Sequence, residues 1–177
     1  MVAPAMAERG EIREGYYLDH PNRDKAASKA TRAIVVLLLL VSAALMVIIT
    51  IGGWEKLVGA KAVQIGYIGL YVLIAFFVAR WNRGVLPVAS ALAIILLIFA
   101  AVSGPEWLER DKRGFDSPAL DENILGLLTF ILVPLQVLLI GFAMRGFQQA
   151  WNVEVERPIE GHQGGRSAGG GAEPQPA

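Results

Sequence analysis

Residues 130–141 read FILVPLQVLLIG, and within that apolar run stand Pro134 and Gln136. A proline removes a helix hydrogen bond, and a glutamine is a costly side chain to place in oil. Two chemistries suit the pair: a polar position on a solute or proton path, or a hydrogen-bonded joint between helices. The other polar groups set in apolar runs are Ser42, Thr50, Gln64, Tyr67, Tyr71, Ser90, Ser103 and Thr129. None is a carboxylate, amine, guanidine or imidazole. The runs therefore lack a carboxylate for proton coupling, an arginine ladder for voltage sensing and a histidine to ligate haem.

Outside the runs the chemical repertoire is also thin. His20 and His162 are the two histidines, they lie in polar tails far apart in sequence, and a solvated role suits both. No serine–histidine pair and no metal set is expected from them. There is no cysteine, which removes disulfides, thiolate metal sites and cysteine nucleophiles. No Walker loop occurs, and Gly66 and Gly69 have the wrong spacing and context for a dinucleotide fingerprint. No cofactor, metal or catalytic residue is expected. Loop carboxylates such as Asp111 or Asp116 leave a lipid-modifying enzyme as a remote third reading.

The elements that must position these groups are four long apolar runs, at 33–53, 62–79, 85–103 and 124–144. At ~1.5 Å per residue each can cross a hydrocarbon core of ~30 Å. Hydrophobic residues make up 54% of a chain of 177, too short to bury four such helices in a soluble core. The fold class expected is all-α, an integral membrane four-helix bundle. Run one follows a 32-residue tail and no clear small-x-small cleavage site follows it, so it reads as a retained span. Size and span count are similar to those of small multidrug-resistance transporters. Those rely on a glutamate in the first span, and this first span has none. Tetraspanin- and claudin-like proteins carry loop cysteines, which are also missing here.

Lys+Arg and Asp+Glu both number 16, so net charge suggests no nucleic-acid partner. Nine basic residues flank the spans on the side of the tails and the loop 80–84, against five on the other side. That bias predicts both termini in the cytoplasm, and composition suggests a bacterial inner membrane. Trp54, Trp81 and Trp107 fall at span edges, as an aromatic belt would. Tyr67 and Tyr71 share a face of span two with Gln64; they read as interface anchors, with a lipid or quinone groove as the lesser alternative.

The tail 1–32 is expected to turn helical near Asn22, a plausible N-cap. Short connections at 54–61 and 80–84 predict that sequential helices are antiparallel neighbours, with Asn82 and Gly84 taking positive φ in the second. The loop 104–123 contains two helix-start signals, Ser103 with Pro105 and Ser117 with Pro118. They predict a short interfacial helix over 105–112 and an outward extension of span four. Trp107, Phe115 and Asp116 in this loop form the expected partner surface. Phe147, Ala150 and Trp151 suggest that the last helix continues past 145, and 159–177 reads as disordered.

Counting ~1.5 Å per residue from the span ends puts Gln136 at ~18 Å depth, Ser42 at ~17 Å and Ser90 at ~20 Å. Gln64 comes out at only ~3 Å. Ser42, Ser90 and Gln136 are therefore expected to form one neutral polar packing layer. Small residues at Ala75/Ala79 and Ala89/Ala93 would let helices approach closely. The function expected is non-enzymatic: an accessory, scaffold or assembly subunit that contacts the lipid bilayer and other membrane-protein subunits. The alternative is an oligomeric transporter or channel with a neutral polar pathway.

Overall fold

The computed structural model describes residues 16–110 and 118–159. Phe115, Asp116, Asp111, Ser117, His162 and the tail 160–177 lie outside the described residues. Two units are distinguished, residues 22–153 and the flanking segments.

The larger unit is built from long helices. Residues 26–52 contain no proline, and Val35, Leu38, Ser42, Met46 and Ile49 are buried at intervals of three or four. That spacing is one face of an α-helix, so α2 (Ala26–Gly52) forms after a single turn, α1 (Pro21–Asp24). Asn22 is not the cap. The turn starts on Pro21, where a missing N–H costs nothing, and extended backbone at Lys25 separates it from α2. Asn22 instead donates from Nδ2 to Ala150 O at 3.0 Å.

The remaining helices are α3 (Lys61–Ala79), α4 (Leu86–Glu109) and α5 (Glu122–Gln148). All four long helices have the length and apolar composition to cross a membrane. Leu37, Ile51, Ile98, Phe99, Leu127 and Val137 are each more than half exposed, a surface suited to oil rather than water.

The packing order differs from the sequence order. α4 lies along α5, α5 along α2, and α2 along α3. α3 and α4 are joined by a short turn, yet they barely touch each other, so short connection did not mean side-by-side packing. Small residues explain the preference of α4 for α5. Ala89, Ala93, Ala100 and Gly104 are buried along one edge of α4, and Gly126, Ala143 and Gly146 along α5. By contrast Ala79 is exposed, so the Ala75/Ala79 pair does not form a seam.

The boundaries correct several expectations. α4 runs on through Pro105 to Glu109, and no separate interfacial helix starts there. The contacts made beyond Pro105 outweigh its lost hydrogen bond, because Trp107 packs between Gly53 and Gly126. Trp107 is only 5% exposed, so it is a core residue and not part of an outward partner surface. α5 starts at Glu122, not at Pro118, because Asp121 caps it by accepting from Asn123 N at 2.9 Å. Asp121→Ala is expected to lower stability by ~1 kcal/mol in a denaturation series, and an unchanged midpoint would show the cap to be idle.

Helix α5 does continue past 145, but only to Gln148, and Ala150 then reverses the chain at φ 50°. The turn between α3 and α4 puts Trp81, not Asn82 or Gly84, at positive φ (64°). Asn82 stays at φ −78°, where its side chain accepts from Gly84 N.

The smaller unit contains an antiparallel two-stranded ladder, β1 (Tyr16–Asp19) with β2 (Val155–Pro158). Tyr16 faces Pro158 and Asp19 faces Val155. Arg157 Nε contacts Asp19 Oδ2 at 2.7 Å, and His20 lies 3.5 Å from Glu154.

Candidate functional site

Three polar or concave features fall inside the helical unit. The first is built on Gln136, which is fully buried. Its Nε2 donates to Ser42 Oγ at 3.0 Å, and its Oε1 accepts from Tyr71 OH at 2.8 Å. One amide thus ties α5 to α2 and to α3. Pro134 lies one half-turn earlier and α5 passes through it unbroken.

Ser42 and Gln136 meet, but Ser90 does not join them. Its Oγ is buried and has no hydrogen-bond partner among the described residues. Trp107 Cβ against Gly126 and Leu86 against Gly146 fix the antiparallel register of α4 and α5. That register sets Ser90 opposite Ala143, roughly 10 Å along the helix from Gln136. Tyr71 takes the third place. Sequence reasoning assigned it to an interface, but it is fully buried, and its ring packs on Tyr67 with centroids 6.0 Å apart.

The second feature is a cleft of about 250 Å³ where α3 and α4 diverge. All four long helices line it, with Met46, Gln64, Tyr67, Phe99, Trp107 and Leu132 prominent. Behind two of these lining residues, Thr50 Oγ1 is within hydrogen-bonding reach of both Met46 O and Gln64 Oε1, so its one proton is shared between two acceptors. Gln64 is thus engaged near the loop end of the bundle, apart from Gln136. A smaller polar recess, lined by Lys56, Glu106 and Arg110, adjoins the cleft and shares Leu57, Ala60, Ser103 and Trp107 with it.

The third is a clamp at the other end of the bundle. Trp151 is fully buried and meets Trp81 edge to face at 5.4 Å. The Arg32 guanidinium lies 4.2 Å from the Trp81 ring and donates from Nη1 to Ala79 O at 2.9 Å. Arg23 Nε donates to Trp151 O at 3.1 Å, and Gln149 Nε2 to Thr31 Oγ1 at 3.0 Å. Arg83 lies 4.5 Å from the Phe147 ring. These basic residues, read from sequence as topological anchors, thus also have packing partners. Of the three tryptophans expected in a belt, only Trp54 is largely exposed, under Lys61.

No three His, Asp or Glu side chains converge as a metal set among the described residues. The arrangement can bind, space and orient helices and can admit an apolar chain; the polar groups inside the bundle are neutral, and the charged ones, Lys56, Glu106 and Arg110, stand at the mouth of the cleft. Neither family models, nor curated proteins, nor solved structures give a match to this chain.

Proposed function

We propose that the chain is an accessory or scaffold subunit of a membrane complex that acts by binding rather than catalysis. It spans a bacterial cytoplasmic membrane four times, with both termini in the cytoplasm. The observation that carries this reading is the Gln136 joint. Both ends of the one mid-bundle amide are taken up by Tyr71 and Ser42. An amide already holding three helices is poorly suited to dehydrate a solute or relay a proton. The excess of basic residues beside the tails supports the orientation.

A transporter or channel is the second reading, and the cleft favours it. That cleft reaches from the loop end only to the level of Met46 and Leu132, which is a recess rather than a path.

Purification in mild detergent followed by native mass spectrometry is expected to recover the chain with foreign subunits. A homo-oligomer that passes ions or solutes in liposomes would replace this reading with the transporter. Because the chain has no cysteine, single introduced cysteines report topology cleanly. Val58→Cys is expected to label from outside the cell and Val153→Cys only after permeabilisation; the opposite pattern would invert the orientation.

A further inference from the structure

The two adjoining recesses differ in chemistry in a way that neither the packing of the bundle nor the clamp requires. The cleft between α3 and α4 is lined mainly by apolar side chains, and Phe99 and Val63 on its walls are more than half exposed. The polar recess at its mouth carries Lys56, Arg110 and Glu106. Ser103, Leu57, Ala60 and Trp107 belong to both, so the two are continuous. The Arg110 guanidinium is held 5.2 Å from the Trp107 ring, which fixes it at the junction.

An occupant of both recesses must be apolar along most of its length and carry an anionic group at one end. Both α3 and α4 line the cleft while barely touching each other, which leaves room for it to be entered between them. We propose that this site holds one glycerophospholipid, an acyl chain lying in the cleft and its phosphate at Arg110. A guanidinium is a usual phosphate partner, and Glu106 in the same recess suits a headgroup ammonium. The cleft, about 250 Å³ in volume and lined mainly by apolar side chains, suits part of an acyl chain. Tyr67 and Gln64 on the α3 wall can meet the ester carbonyls. This rests on the membrane-spanning part of the proposed function but not on the accessory role.

The test is native mass spectrometry of the delipidated full chain titrated with a phosphatidylethanolamine, a phosphatidylglycerol or a diacylglycerol of the same acyl chains. One phosphatidylethanolamine is expected to bind, with the diacylglycerol, which lacks phosphate, weaker by about tenfold. Val63→Trp fills the cleft from an exposed wall position and is expected to weaken binding about tenfold. Leu37→Trp, on an outward face of α2, is expected to leave it unchanged. Arg110→Gln should abolish the preference for phospholipid over diacylglycerol while keeping the chain folded. Equal binding of diacylglycerol and phospholipid to the unaltered chain would overturn the proposal. So would equal loss with Val63→Trp and Leu37→Trp. Preferred binding of phosphatidylglycerol would keep the phosphate site and overturn the role of Glu106. Release of the chain from native membranes by alkaline carbonate would instead sink the membrane reading, a failure distinct from any of these.

Discussion

Trp151→Ala is expected to be the most damaging single substitution outside the membrane-spanning core, lowering stability by about 3–5 kcal/mol. The indole is fully buried, packs on Gly146 and Leu86 through that glycine, and closes edge to face on Trp81. It also holds two unfavourable backbone conformations in place. Ala150 and Trp81 both sit at positive φ, which costs non-glycine residues roughly 1–2 kcal/mol each. Burial of one large aromatic exceeds that cost, so the reversed turn wins over a continued helix. Without the indole, the backbone strain remains and its compensation is gone. Arg23 and Asn22 then lose their purchase on the 150–151 backbone, and α1 should detach. Unfolding in mixed micelles measures the loss, and proteolysis at 20–25 reports the detachment. A double-mutant cycle with Trp81→Ala should give ~0.5–1.5 kcal/mol of coupling for the ring pair. A loss within ~0.5 kcal/mol for Trp151→Ala would mean that the clamp does not hold the turn.

The same residues show where sequence reasoning succeeds and where it stops. Long apolar runs mark helices because length and composition alone decide them, and all four helices lie on the expected runs. Their ends depend on tertiary contact. Pro105 looked like a boundary, but the packing of Trp107 against Gly126 carries α4 onward by six residues beyond Ser103. That one misplacement spoils the depth of Ser90, because the whole of α4 shifts by roughly 9 Å relative to α5. Ser42 was found because the end of α2 at Gly52 lies close to the expected 53. Tyr71 was missed for a different reason: depth counted on Cα positions ignores the reach of a long side chain. The order α3–α2–α5–α4 is also invisible to loop length, which limits separation at one end of a helix pair only. The splay it leaves between α3 and α4 is what makes the cleft. The polarity of the cleft mouth was partly legible, since Trp107 was singled out, though for an outward surface that its burial rules out.

Gln136→Leu carries the second large effect, and it separates the three residues once grouped as a layer. Leucine fills similar space but removes both partners of the joint. The Tyr71 hydroxyl is then a buried donor with nothing to accept from it, and the Ser42 oxygen loses its donor. Stranding such groups costs about 1–3 kcal/mol, more than the ~0.6 kcal/mol average for an interhelical polar contact. Tyr71→Phe should cost ~1 kcal/mol by leaving the Gln136 carbonyl unpaired. The two together should cost less than their sum, because each removes the group the other strands. Ser90→Ala should behave in the opposite sense. Its hydroxyl is buried without a partner, so deleting it should leave stability unchanged or raise it by up to ~1 kcal/mol. Ser42→Ala should lower it. Unfolding free energies in mixed micelles decide among these outcomes. Strict additivity of Gln136→Leu and Tyr71→Phe would mean the bond between them contributes nothing. A destabilising Ser90→Ala would mean that Ser90 has a partner in the folded protein after all. If instead Gln136→Leu left stability intact and abolished assembly or flux, Gln136 would be a working group, and Pro134 beside it would serve to open its helix at that level.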